Sequence, residues 1–339
     1  MMKSYHLKKL GGLDGLSCQD AEGKAIGSNE VRVRMRAASL NYRDLLILLD
    51  MVPGGGTIAD VVPLSDGAGE VLEVGSDVRD IAIGDRVVAV MLPRWVDGPP
   101  VQAYLTDALG GSLHGTLRQE AILSGDGVLR LPDHLSFEEG AALGCASVTA
   151  WSSLVGGRGL LPGQTVLVQG TGGVSLFALQ YAKAAGATVI ATTSSAAKAE
   201  QLRALGADAV VNYVEQPEWA GAVRALTGGT GVDRVVEVGG PGTIQQTIAA
   251  SAIGGHISIV GFSGGADGVF SPLALLGNGL TLEGIVVGSR RNFVDSLRAM
   301  DSAKLRPVLD EVFAFDRAAD AYRHMLERKH VGKVIVRID

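Results

Sequence analysis

The stretch Thr165–Thr193, TVLVQGTGGVSLFALQYAKAAGATVIATT, decides the architecture. Thr165–Gln169 is an apolar run of strand length, and Gly170, Gly172 and Gly173 follow at once. Val174, Phe177, Ala178, Tyr181, Ala182 and Ala185 then recur at helical spacing. Gly186 stands where a helix C-cap belongs, and Thr188–Thr192 is a second strand. The result is one βαβ unit. Glycines let the backbone turn tightly and approach a pyrophosphate, and the new helix offers it unpaired N–H groups and a positive dipole end. A glycine-rich turn often does nothing but turn, and the usual third glycine is Ser175 here. The strand before and the helix after are the context a dinucleotide site requires, so Gly170, Thr171, Gly172, Gly173 and Val174 are its expected cradle.

Working outward, alternation continues from about Phe137. Strands are expected at Ala209–Asn212, Val232–Val238, His256–Val260 and Thr281–Val287, with helices at Ala196–Leu205, Pro217–Leu226 and Thr243–Ala250 between them. With the first two, that makes six strands, the count of a doubly wound α/β dinucleotide fold. The first 110 residues look β-rich instead. Val31–Ala37 alternates apolar and Arg, Gly69–Val74 and Asp85–Val90 are further strands, and one helical patch, Tyr42–Leu49, interrupts them. Met91–Gly115 is irregular and reads as a loop or lid. The tail adds helices at Phe293–Asp301 and Ala318–Arg328 and a closing strand, Lys333–Ile338.

Bulk properties narrow the function. The 339 residues are long for one core, so two domains are expected. Hydrophobic residues make up 47% and charged ones 19%, which argues against disorder. The net charge of −6 comes without a basic stripe, so no nucleic acid partner is expected. No apolar stretch reaches the roughly 20 residues that span a bilayer, so no membrane partner is expected either. The start MMKSYHLKKL lacks the apolar core of a signal peptide, and two cysteines, Cys18 and Cys145, suit a reducing compartment. The expected location is the cytoplasm.

The segments SLNYRDLL (Ser39–Leu46), PLSDGAGEVLEVGSDV (Pro63–Val78), GDRVV (Gly84–Val88), EEGAALGCASVTAW (Glu138–Trp151), PGQTVLVQGTGGVS (Pro162–Ser175), LGADAVVNY (Leu205–Tyr213) and the closing HVGKVIVRID follow one another in an informative order. Together they resemble the medium-chain dehydrogenase/reductase superfamily over essentially the whole chain. Within it, the chain is most similar to the zinc-free, quinone-oxidoreductase-like members and the alcohol-dehydrogenase-like proteins near them. The resemblance implies an α/β protein with a GroES-like β-barrel catalytic domain, residues 1–136 and 290–339, and a six-stranded doubly wound Rossmann domain, residues 137–289. It also implies a homodimer formed through the last Rossmann strand, Thr281–Val287.

Zinc alcohol dehydrogenases draw catalytic ligands from a Cys, a His and a Cys. By the flanking motifs these positions fall on Asn41, Ser65 and Cys145, of which only the last keeps its type. One soft ligand does not hold zinc tetrahedrally, and the four close cysteines of a structural zinc are missing from the sequence. The expectation is no metal, with Cys145 a small buried residue.

NAD-specific sites place an acid roughly 20 residues past the glycine turn, on the ribose 2′-OH. Here the second strand runs into Thr192, Thr193, Ser194 and Ser195, and the first acid is Glu200. Hydroxyls and a cation suit a 2′-phosphate, which a carboxylate would repel. Ser194 and Lys198 are placed for it, and in related reductases a Lys and a Tyr at the positions of Lys198 and Tyr213 contact that phosphate. NADP(H) is favoured over NAD(H). The alternative is that Lys198 is a solvated helix charge, Tyr213 packs the strand end, and either cofactor is accepted.

The resemblance puts Asn41 near the nicotinamide, able to hydrogen-bond the ribose or a carbonyl. Tyr42 offers a phenol to a carbonyl oxygen or for proton transfer, the plain alternative being a helix-start aromatic. Trp95 and Tyr104 are candidates for the substrate pocket. Gly261, Phe262 and Ser263, after the fifth strand, and Gly288 and Ser289, after the sixth, are candidates for approaching the nicotinamide. Conjugate reduction of an enone, or reduction of a quinone, suits this inventory better than alcohol oxidation, which needs a base or metal to take the hydroxyl proton. The small-molecule substrate is not otherwise specified, because the loops Met51–Asp60 and Met91–Gly115 set the pocket.

Two rivals remain. Gly261-Phe262-Ser263-Gly264-Gly265 matches the G-x-S-x-G nucleophile elbow of a serine hydrolase, with Asp301 and His324 following in the required order. Against it, Ala266-Asp267-Gly268 reads as continued loop where the elbow needs a helix. A catalytically idle NADPH-binding protein is the other.

Overall fold

Residues 30–39 carry Val31, Val33 and Met35 on one side and Arg32, Arg34 and Arg36 on the other, and this alternation builds the central strand of the first unit. The computed structural model describes residues 2–52, 55–265 and 270–339. Pro53 and Gly54 of the loop 51–60, and Ala266, Asp267 and Gly268 of the elbow argument, lie outside them. The chain packs as two compact units, one running up to Val148 and resuming at Gly288–Asp339, the other Thr149–Val287.

The first unit opens with an antiparallel ribbon, β1 (Met2–Leu7) and β2 (Leu16–Ala21). β3 (Glu30–Ser39), α1 (Tyr42–Leu48), β4 (Asp66–Val74), β5 (Arg86–Ala89) and the short α2 (Gln102–Leu105) follow. After them come β6 (Glu120–Ser124), β7 (Val128–Arg130), α3 (Phe137–Ala141) and α4 (Ala146–Val155), the last of which carries the chain into the second unit.

The second unit alternates β8 (Thr165–Gln169), α5 (Gly173–Ala184), β9 (Thr188–Thr193), α6 (Ala196–Ala204), β10 (Ala209–Asn212) and α7 (Trp219–Leu226). It continues with β11 (Val232–Glu237), α8 (Ile244–Ala250), β12 (Ser251–Ile259), α9 (Pro272–Asn278) and β13 (Thr281–Gly284). The chain then returns to the first unit with α10 (Arg290–Ser302), β14 (Leu309–Ala314), α11 (Ala318–Leu326) and β15 (Lys333–Arg337).

β3 is the spine of the first unit. One edge pairs with β4; the other is shared by β6 against Glu30–Arg34 and by β15 against Ala37–Ser39. The strand order is β14-β15-β3-β4-β5-β7, with β6 on β3, so the last strand of the chain joins a sheet begun by the third. Tyr322 of α11 and Leu48 of α1 are buried in the same core as Val31 and Val33.

In the second unit the six strands are all parallel in the order β10-β9-β8-β11-β12-β13. This is the doubly wound dinucleotide-binding order, in which the strand sequence reverses between β8 and β11. Val166, Leu167 and Val168 of β8 are all fully buried, because both faces of a parallel sheet are covered. α7 and α8 pack together on one face, where Trp219, Val223 and Ile244 meet Leu167, Ile190 and Val235.

Several boundaries differ from the sequence expectation. β12 begins at Ser251 rather than His256: Gly254 and Gly255 do not break it but sit in its irregular first half, where the register against β11 shifts. β13 stops at Gly284, ahead of Val287, whose φ of +55° leaves the extended region. α9 has a proline in its first turn and a left-handed Gly279 at its end, but buries none of its residues and so carries no apolar stripe to read. β14 escapes notice because four of its six residues are exposed.

The ends of β8 and β11 are locked by a buried network. Glu237, fully buried, accepts from Gly239 N at 2.8 Å, Gly240 N at 2.9 Å and Thr243 Oγ1 through one oxygen. Its other oxygen accepts from Gln169 Nε2 at 2.8 Å and from Thr247 Oγ1. Gln169 Oε1 in turn accepts from the Val238 and Gly239 amides. Removing a carboxylate from such a site strands several buried donors. We expect Glu237→Ala to cost about 3 kcal/mol or more of stability in denaturant unfolding, whereas a loss under about 0.5 kcal/mol, the scale of an ordinary surface change, would contradict this account.

Candidate functional site

The expected cofactor cradle is open. Gly170 has φ +72°, and a Cβ built on it or on Gly172 meets no atom within 4 Å. Internal packing therefore does not require these glycines; the positive φ of Gly170 favours one there, and the open space leaves the backbone approachable from outside. Thr171 is buried, and α5 starts at Gly173–Val174 with no side chain capping its first N–H groups. Ser175, in place of a third glycine, is buried and donates its hydroxyl to Gln169 O at 2.6 Å, which pins α5 to the end of β8.

Beyond β9, Ser194 is exposed and Lys198 half-buried in the first turn of α6, whose N-cap Ser195 accepts from Lys198 N at 3.3 Å. Tyr213 N donates to Thr193 O at 2.9 Å, so Tyr213, 42% exposed, also sits at the end of β9. Glu200 is paired with Arg203. Gly261, Phe262 and Ser263 follow β12, and Ser263 donates its hydroxyl to Val238 O at 3.0 Å, which brings this loop to the end of β11. The partners proposed for a hydrolase Ser263 are engaged elsewhere: His324 with Asp310 at 2.6 Å, Asp301 with His134 and Lys304.

In the first unit, four chain segments converge on a buried polar cluster. Lys333, at the head of β15, is 3% exposed; its Nζ donates to Leu40 O at 2.7 Å and to Asn41 Oδ1, and lies 3.7 Å from Asp66 Oδ2. Asp66, fully buried, accepts from Ser65 Oγ at 2.9 Å and Cys145 N at 3.1 Å. Asp44 accepts from Asn41 N at 2.7 Å and closes the start of α1, but its Oδ1 is buried without a partner. Burial, and secondarily the Asp66 charge, push the Asp44 carboxyl up to about 6 against the pull of Arg43, the Asn41 N–H and Lys333. Burial and Asp66 likewise push the Cys145 thiol up to about 12.

An ammonium has donors only, so Asn41 must turn its oxygen to Lys333. Its Nδ2 faces away, and it too is buried without a partner. Tyr42 follows at the first position of α1, with the Arg328 guanidinium over its ring. The positions that carry ligands in zinc alcohol dehydrogenases are thus an amide held by an ammonium, a hydroxyl donating to Asp66, and a single thiol. Zinc binds deprotonated sulfur and imidazole, and this donor set beside a lysine does not fit it. Among the described residues, no three His, Cys, Asp or Glu side chains group to hold a metal.

The remaining expected residues lie in the same unit. Trp95 is 5% exposed and its indole donates to Gly98 O at 2.9 Å; Tyr104 sits half-buried in α2. Gly288 and Ser289 are buried, with N of the next residue, Arg290, on Trp95 O at 2.8 Å, and the Ser289 hydroxyl caps α10. Sequence reasoning missed Lys333, Asp66, Gln169 and Glu237. Their signal is a charged or amide residue at the first or last position of a strand.

Comparison with known proteins accords with this geometry. The family model described as "Alcohol dehydrogenase GroES-like domain" matches residues 27–133, and that described as "Zinc-binding dehydrogenase" matches 173–302. A zinc-type alcohol dehydrogenase-like protein of Schizosaccharomyces pombe is 40% identical over 338 residues, covering 98% of this chain and 97% of that one. The chain belongs to the medium-chain dehydrogenase/reductase superfamily. A quinone oxidoreductase of Pseudomonas aeruginosa is 30% identical, with 99% of each chain covered. A solved NAD-dependent alcohol dehydrogenase superimposes with a TM-score of 0.91 at 35% identity over 100% of both chains. The first unit is therefore a GroES-like domain, the second a Rossmann domain, and the protein an oxidoreductase using a nicotinamide cofactor. Among the described residues, no helix is long and apolar enough to cross a membrane.

Asp44 makes stability depend on pH in a definite direction. Its folded carboxyl keeps a proton to about 6, well above the roughly 4 of an ordinary aspartate, so the folded state binds more protons between those values. Its contribution is present below about 4 and lost as pH rises to about 6, a swing of at most about 3 kcal/mol. Melting curves of Asp44→Asn across this range should show the variant gaining on the unmutated protein as pH rises; a constant difference would contradict the assignment.

Proposed function

We propose that this protein is a zinc-independent, NADPH-dependent reductase acting on quinones or α,β-unsaturated carbonyls. The observation that carries the reading is the set of side chains at the three metal positions: it offers a donor, the unpartnered Asn41 amide, and neither a carboxylate nor an imidazole to act as base. Alcohol oxidation requires something to take the hydroxyl proton. The Cys145 thiol, pushed up to about 12, is poor at that. Reduction requires a donor to the substrate oxygen, which Asn41 Nδ2 and the Tyr42 phenol supply.

When bound, the nicotinamide supplies the hydride. In an enone the hydride ends on the β-carbon and a proton from water or Tyr42 on the α-carbon; in a quinone both oxygens end protonated as hydroquinone. NADP⁺ is the other product. The cofactor preference rests on the Ser194, Lys198 and Tyr213 grouping and on Glu200 being engaged with Arg203. The solved relative named as NAD-dependent favours a second reading, an alcohol dehydrogenase or carbonyl reductase. The account also includes a cytoplasmic homodimer. β13 is an edge strand, and Ile253, Leu273 and Leu276 of the same unit are at least 75% exposed.

The assay is NADPH oxidation with 1,4-benzoquinone, a long-chain enone and a simple aldehyde, and a secondary alcohol with NADP⁺, with NADH in parallel. Quinone or enone turnover is expected; turnover of the aldehyde or alcohol alone would favour the second reading, and none at all an idle binding protein. Lys198→Ala should weaken NADPH binding about tenfold, as for loss of one charged hydrogen bond, and leave NADH unchanged. Tyr42→Phe should slow turnover at least about tenfold if the phenol handles a proton, and unchanged turnover would make it a packing residue.

A further inference from the structure

We infer that Lys333 is a positioning residue for the reaction: its buried ammonium fixes the Asn41 amide so that Nδ2–H meets the substrate oxygen, and its positive charge stands where zinc-holding relatives place their metal. The inference rests on the reductase reading above and names the device within that same site.

Three observations converge on it. First, Lys333 opens an apolar strand whose next residues, Val334, Ile335 and Val336, are all buried. Burying an ammonium is unfavourable unless partners compensate, and here they do: Leu40 O, Asn41 Oδ1 and Asp66. Secondly, those bonds determine the orientation of Asn41. With Oδ1 on the ammonium, Nδ2 is the free end, and it is a buried donor on a side chain 93% removed from solvent. A stranded donor destabilises a fold, so its retention points to a partner that arrives with the ligand. Thirdly, Ser65 and Cys145, the other two metal positions, both hydrogen-bond Asp66, and Asp66 in turn faces Lys333. The lysine therefore lies in the group of residues that would otherwise surround a metal.

The step balances without further reagents. Hydride adds to the β-carbon of the enone and the carbonyl π electrons move onto oxygen. Asn41 Nδ2–H donates a hydrogen bond to that oxygen and keeps its proton. The enolate then takes a proton at the α-carbon from water or Tyr42. Lys333 touches neither substrate nor cofactor; it holds the amide and adds positive potential behind it.

The test uses the full chain with NADPH and 2-cyclohexen-1-one. Lys333→Met should lower kcat about 10- to 100-fold, below the effect of deleting a direct oxyanion donor, with KM for NADPH changed less than about twofold. Lys333→Arg, which keeps the charge, should recover part of the loss. A lysine with only a structural role would instead give variants that lose stability and cofactor affinity together, with Arg no better than Met in kcat. An activity-independent readout comes from selective ¹⁵N-asparagine labelling, since the chain has five asparagines. The Asn41 amide pair, identified by its loss in Asn41→Asp, should shift on forming the unreactive NADP⁺–cyclohexenone complex in the unmutated protein and not in Lys333→Met. If Lys333→Met fails to fold, Lys333→Met/Asp66→Asn removes the carboxylate left alone and carries the same expectations. Full kcat in a folded Lys333→Met, or an Asn41 pair unmoved in the complex of the unmutated protein, would overturn the inference. Turnover with Lys333→Met intact defeats this inference alone; no turnover of any carbonyl by the unmutated protein defeats the reductase reading.

Discussion

The contact of Lys333 with Asp66 and Asn41 organises the first unit. It joins the last strand of the chain to the head of α1 and the start of β4, across 292 residues of sequence in the case of Asn41. Through Asp66 it reaches Ser65 and the backbone of Cys145 as well. A buried ion pair is weak support for stability, because well-packed apolar side chains of the same volume often do as well. What such a pair supplies is a fixed arrangement: one charge, one amide orientation, and one direction left open for a ligand.

The two units treat buried polar atoms in opposite ways, and the contrast is informative. At the reversal of strand order in the Rossmann unit, both Glu237 oxygens and both ends of the Gln169 amide have partners. A network satisfied to that degree rigidifies the strand ends and holds the glycine turn in register. Around Asn41, by contrast, Nδ2 and the Asp44 Oδ1 are left unpartnered within a cluster otherwise full of hydrogen bonds. The first pattern builds a platform; the second leaves a binding capacity that the chain alone does not use.

Legibility in the sequence followed the physics of burial. β8 and β9 were readable because strands covered on both faces are near-continuous apolar runs with turn glycines beside them. The first half of β12 was not, because Gly254 and Gly255 carry turn chemistry into a strand. α9 and β14 were missed because exposed elements have no hydrophobic period. The end of β9 stands out in the sequence as a candidate site by the hydroxyls it carries and the acid it lacks, and Asn41 and Tyr42 stand out by resemblance to a known motif. Lys333 was not, since a lysine before an apolar strand looks like a solvated flank until folding places it beside residue 41. Ser289, a candidate from its place after a strand, has its hydroxyl capping α10.

The central claim is that a fixed ammonium, rather than a metal ion, supplies the positive charge of this site. The most direct measurement is the zinc content of the protein after incubation with excess zinc and desalting, together with enone or quinone turnover before and after a strong chelator. The account predicts zinc far below stoichiometric and turnover unaffected by chelation. Stoichiometric zinc whose removal abolishes turnover, and whose return restores it, would contradict it.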